Sequence, residues 1–173
     1  MKKLLFLILL FFVPKIFGQG EVSNWYFGSR AGISFKDCNP IALTDSQIRN
    51  TAVNASISNT NGELLFYSDG LNVWNRNHVL IPGSDLLTNN SGKAGDNNYD
   101  PNNDANDDIA LFVSNPVDDT IYYLFVYLRN SPRESSRNNF FYYTIDLKED
   151  RGLGAIVDGP INLREHLRPL LNT

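Results

Sequence analysis

The chain has 173 residues, with 15 Lys and Arg against 19 Asp and Glu and a net charge of −4. An acidic chain has no electrostatic reason to hold a phosphate backbone or an anionic membrane surface, and nucleic acid is excluded as a partner. A single Cys, Cys38, excludes an internal disulfide framework, so stability has to come from packing and sheet pairing.

Lys2 and Lys3 precede an unbroken apolar run of ten residues, 4–13 (LLFLILLFFV), after which Pro14 ends any helix and Gly18 supplies a small residue. A positive start, a short apolar stretch and a small exit residue form the pattern of a cleavable export signal, expected over 1–18. A membrane span takes about 20 apolar residues, so no transmembrane anchor is expected in the mature chain. Cleavage before Gln19 leaves 155 residues, enough for one domain with a core of its own. Three of the 15 basic residues and none of the acidic ones lie in 1–18, which takes the net charge to −7. The expected location is the cell surface or the medium, with the periplasm as the alternative.

Beyond the signal no stretch sustains a 3.6-residue apolar period, and the one helical candidate, 162–171, is limited by Pro169. Strand signals dominate, punctuated by 22 Asn and 12 Gly, residues that accept turn conformations at low cost. Short runs are expected at 25–28, 32–35 and 41–44. Asn61-Gly62 lies between runs at 55–60 and 63–68, which predicts a hairpin with a type I′ turn. Asp69-Gly70 closes the second of these runs, and a further run begins at Asn72. Residues 83–108 are rich in Asn, Asp, Gly and Ser and are expected to form a loop insertion. Four runs follow at 109–114, 120–128, 139–147 and 155–163. The second of them (TIYYLFVYL) is apolar on both faces, as a central strand is. The expected fold is all-β, in antiparallel blade-like units. The expected division is a signal at 1–18, a first unit at 19–82, the insertion at 83–108 and a second, four-stranded unit at 109–173.

The chemistry-bearing residues are sparse. Asp100, Asn102, Asp104, Asn106 and Asp108 put oxygen side chains at alternate positions, as a calcium loop requires. Ala105 and Leu111 stand where an EF-hand places Gly and Glu, so the competing reading is a plain solvated insertion. Apart from that calcium no cofactor is expected. Trp25, Trp74 and the Tyr pairs read either as strand packing or as sugar-stacking platforms. His78 and His166 are single, and no nucleophile elbow, phosphate loop or paired-Cys motif occurs. Arg129, Arg133 and Arg137 cluster in one polar loop, either a solvated tip or a contact for an acidic glycan. Asn54 and Asn89 each begin a glycosylation sequon, a match short enough to arise by chance.

Several segments together resemble a known family. They are Asn24-Trp-Tyr-Phe-Gly28 with Ala31-Gly-Ile-Ser-Phe35, and Asn61-Gly-Glu-Leu-Leu-Phe-Tyr-Ser-Asp-Gly70 with Val73-Trp-Asn-Arg-Asn-His78. The later Ile121-Tyr-Tyr-Leu-Phe, Tyr142-Tyr-Thr-Ile-Asp146 and Gly152-Leu-Gly154 extend the likeness over most of 24–163. They are similar to the amino-terminal β-propeller region of gliding-motility-associated secreted surface proteins of the Bacteroidetes, which leave the cell by type IX secretion. The resemblance implies propeller blades and a cell-surface role in gliding or adhesion. Two points depart from it: the acidic 83–108 segment, and a length of about two blades where closure takes at least about four. A truncated piece, or one that pairs through an edge strand with another chain, is therefore expected.

The expected function is an exported, non-enzymatic surface module that binds a polysaccharide or a protein. The alternatives are part of an exported hydrolase or lyase on a propeller scaffold, and a non-functional remnant.

Overall fold

The structure, a computed structural model, describes residues 20–36, 39–49, 54–84, 109–127 and 140–163. The proposed signal, Cys38, residues 85–108 with all five candidate calcium ligands, the Arg129/Arg133/Arg137 loop, His166 and residues 164–171 of the helical candidate lie outside these.

The described residues are predominantly β. A short 3-10 turn, Gly20–Val22, precedes β1 (Asn24–Tyr26), β2 (Gly32–Ser34) and β3 (Ile41–Leu43), which form one antiparallel sheet. Next come β4 (Ala55–Ser58), β5 (Leu64–Ser68) and β6 (Val73–Asn75), a second antiparallel sheet. The third sheet contains β7 (Ile109–Ser114), β8 (Ile121–Tyr127), β9 (Phe140–Asp146) and β10 (Ala155–Asn162) in the order β10-β9-β8-β7. The strands of 24–81 thus divide between two sheets. The second sheet is extended beyond β6 by residues 79–81: Asn75 N–H donates to Val79 O and Ile81 N–H to Val73 O.

The hairpin at Asn61-Gly62 forms, with a different turn from the expected type I′. Gly62 N–H donates to Asn59 O and Asn59 N–H to Glu63 O, a three-residue loop in which Gly62 alone has a positive φ, +77°. The Asn59 side chain decides this. Its Oδ1 accepts from the backbone N–H groups of Asn61 (3.0 Å) and Glu63 (2.9 Å), a local competitor that a two-residue turn would lack.

Both faces of the second sheet are buried, which explains why Leu64-Leu65-Phe66-Tyr67 is apolar without alternation. A register shift between Ile57 and Ser58 turns the consecutive residues Leu65 and Phe66 onto one core. That core lies against the third sheet and includes Val73, Ile81, Phe112, Tyr122, Leu124, Val126, Tyr143 and Ile145. Phe66, 0% exposed, sits at its centre, with ring centroids 6.2 Å from Phe112 and 5.7 Å from Tyr122. On the opposite face Leu64, Tyr67 and Trp74 pack with Tyr26, Leu43 and Ile48 of the first-sheet region. The second sheet is therefore the filling between the other two.

The first strands of the three sheets lie together, with β4 between β1 and β7. A link at the other side is made by Ile156 N–H of β10, which donates to Pro82 O at 2.9 Å. The tight turn at Glu149–Gly152 runs left-handed through Asp150 and Arg151 and delivers the chain to Gly154. A Cβ built at Gly154 falls 2.6 Å from two ring carbons of Phe66, so only glycine allows the chain to cross that ring. The outer face of the third sheet carries the cross-strand rows Ile109–Tyr127–Phe140 and Leu111–Phe125–Tyr142. Ile109 and Leu111 are 60% and 56% exposed there.

Candidate functional site

Two structural features concentrate side chains that can do chemistry. The first is a polar cluster between the first two sheets, buried at its aromatic rings and open to solvent at Asp45. Tyr26 of β1, Tyr67 of β5 and Trp74 of β6 form a continuous stack, with centroids 4.6 Å apart for the Tyr pair and 5.3 Å for Tyr67 and Trp74. Their polar ends meet Asp45 and His78. His78 Nε2 lies 3.1 Å from Asp45 Oδ2, and its Nδ1 lies 3.0 Å from the Tyr67 hydroxyl. Tyr26 donates to Asp45 Oδ1 (3.1 Å), and Gln47 N–H donates to the Tyr67 hydroxyl (3.2 Å). One proton arrangement satisfies every contact: Nε2–H donates to the carboxylate, and Nδ1 accepts from Tyr67. His78 holds a positive φ of 60°, and the turn after β6 brings it back beneath the stack.

Asp45, His78 and the Tyr67 hydroxyl stand in series. Burial pushes the Tyr67 phenol up to about 12, partly opposed by the hydrogen bond from Gln47. Burial and then the Asp45 charge raise Tyr26 well above the ordinary phenol range. The cluster joins the first sheet to the second.

A parallel link is made by buried Asn24. Its Nδ2 donates to Ser58 Oγ and to Gly62 O, each at 2.9 Å, while Ser56 donates to Asn24 O at 2.7 Å.

The second feature is the corner around β1, where two clefts open. One, of about 590 Å³, is bounded by Val22, Trp25, Phe35 and Lys36 on one side and by Thr60, Asn61 and Gly62 of the hairpin loop on the other. The Trp25 indole N–H donates to Val22 O at 2.9 Å, which fixes the ring. Phe35 meets it edge-on, with centroids 5.4 Å apart and planes inclined by 66°. The other cleft, of about 490 Å³, follows the line where β1, β4 and β7 converge and is lined by Phe27, Asn54, Ser56, Leu111 and Val113, among others. Asn54 Oδ1, buried at its margin, has no hydrogen-bond partner among the described residues.

The two tryptophans that looked alike in the sequence separate here. Trp74 is 8% exposed and belongs to the stack, whereas Trp25 is 47% exposed on the cleft wall. Asp45 carried no sequence signal, because its partner His78 lies 33 positions further along the chain. Asn54 of the first sequon is half-buried. Among the described residues no group of three or more His, Cys, Asp or Glu is placed to hold a metal ion, and no helix is long and apolar enough to cross a membrane. Comparison of the chain with protein-family models, with curated proteins and with solved structures gives no match.

Proposed function

We propose that this protein is an exported, non-enzymatic surface module of β-propeller type, which binds a polysaccharide or a surface protein through the corner built around β1. One observation carries the reading: three antiparallel sheets stack face to face with their first strands, β1, β4 and β7, gathered along one line, and both clefts open beside that line. Blades arranged around an axis present their first strands in this way, and the loops and clefts at the axis are where such scaffolds hold ligands. The apolar start of the sequence supports export, and the motifs shared with gliding-associated proteins support an address at the cell surface. The edge of β7, unpaired among the described residues, and the apolar face beside it support pairing with a further chain or sheet.

The reading is tested by expressing the full chain in a Gram-negative host and fractionating the cells. It predicts a shortened product in the periplasm, on the surface or in the medium, and retention of purified protein on whole cells or isolated polysaccharide. A full-length product confined to the cytoplasm would overturn export. Turnover of a polysaccharide substrate without retention would overturn the binding role.

A further inference from the structure

The geometry points to the Trp25–Phe35 cleft as the receptor for a neutral pyranose ring at the end of a glycan. This rests on the binding-module reading and names the ligand class for one of its two clefts. The first ground is the state of Trp25. Its only polar atom is already committed to Val22 O, so the indole can offer a ligand its face and nothing else. A half-exposed ring held in one orientation is an apolar surface prepared in advance, and little side-chain entropy remains to be lost when something covers it. The hydrogen-bearing face of a pyranose is a flat apolar patch of matching size, ringed by hydroxyls.

The second ground is shape. Phe35 stands at 66° to Trp25, so the two rings form a corner and not a continuous floor. A corner receives the end of a chain; an extended polymer lying flat would need coplanar rings. The third ground is the rim. The Thr60 and Asn61 side chains, on the opposite wall, carry no hydrogen bond among the described residues and are available to sugar hydroxyls. Lys36 and Glu63 stand 4.0 Å apart at the edge and offset one another, which leaves the cleft without a net charge to attract an acidic sugar. The hairpin wall is itself rigid, because Asn59 ties the loop at both Asn61 and Glu63.

The chain supplies its own probe, since Trp25 and Trp74 are its only two tryptophans and only Trp25 is open to solvent. Acrylamide quenching of the full-length protein is measured while cellohexaose, mannohexaose or galactohexaose is added, with an uncharged Ser/Thr-rich peptide in a parallel arm. At least one sugar is expected to shield the accessible tryptophan saturably. Calorimetric titration with the same sugar, which does not depend on the quenched ring, is expected to show binding about tenfold weaker in Trp25→Ala, while Trp25→Phe keeps a ring and loses less. Asn61→Ala, which leaves both tryptophans in place, is expected to weaken the quenching titration, and circular dichroism checks that each variant is folded. Sugar affinity left unchanged by calorimetry in folded Trp25→Ala and by quenching in folded Asn61→Ala would overturn the site. Protection by the peptide with none by any sugar would overturn the ligand class and leave the binding module standing. Silence in every arm would overturn the cleft, and retention of the same protein on whole cells would then show that the module binds elsewhere.

Discussion

Replacing Tyr67 with Phe isolates the polar end of the stack from its apolar body. The ring stays between Tyr26 and Trp74 at 4.6 and 5.3 Å, so no cavity beyond one oxygen is made. What is lost is a hydroxyl that joins Gln47 N–H at 3.2 Å to His78 Nδ1 at 3.0 Å. Two net hydrogen bonds at about 1 kcal/mol each put the expected destabilisation near ~2 kcal/mol. Urea unfolding followed by tryptophan fluorescence and by circular dichroism measures it, Trp74 reporting directly on the stack. A cycle with His78→Leu separates the pair, with a coupling of about 1 kcal/mol expected. The same variant changes the alkaline limb of stability. Tyr67 titrates near 12 in the folded protein against 10.0 for a free phenol, so the native state holds its proton longer than the unfolded one. Its contribution is complete below about pH 10 and is lost as pH rises through about 12. Tyr67→Phe is therefore expected to lose less stability than wild type across that window. A change below ~0.5 kcal/mol at neutral pH, with an unchanged alkaline limb, would refute the claim that this hydroxyl ties the first two sheets together.

Three further outcomes follow from the packing. Gly154→Ala combines a positive φ of 86° with a Cβ 2.6 Å from Phe66, and thermal melts are expected to register a loss of about 2–4 kcal/mol. Phe66→Ala empties the centre of the larger core and is expected to cost about 3–5 kcal/mol; combined with Gly154→Ala the losses should fall short of additive, because the missing ring makes room for the new methyl group. Burial raises the Asp69 carboxyl above its ordinary range, against the opposing hydrogen bonds from Leu71 and Asn72. The native state thus favours the protonated form, and its contribution is complete at acid pH and declines as pH rises through the folded value. Asp69→Asn should flatten that decline in a pH series of urea midpoints, and a series unchanged from wild type would contradict it.

The strand runs were legible because each is short, rich in aromatic and β-branched residues, and closed by Asn, Asp or Gly. The run at 109–114 has the observed bounds of β7, and the other strands differ from their expected bounds by one or two residues at an end. The central position of β8 was legible too, in TIYYLFVYL. The hairpin at 59–63 was legible as a place and not as a turn type, because the Asn59 side chain competes with the backbone for the loop's N–H groups. That 24–81 divides into two sheets was not legible, since successive hairpins look alike whether or not the ladder continues between them.

What the sequence determined by itself is the all-β character, the strand positions and the absence of any long apolar helical period, all of which depend on neighbours along the chain. The tertiary structure decided which of two similar tryptophans is core and which is cleft wall, and it joined Asp45 to His78 and the two tyrosines. Those relations are set by which sheet lies against which face, a contact between residues distant along the chain that leaves no local pattern. Trp25 and Trp74 each sit in an aromatic strand run, and among the described residues what separates them is that the first-sheet region packs on Trp74 while Trp25 faces a cleft.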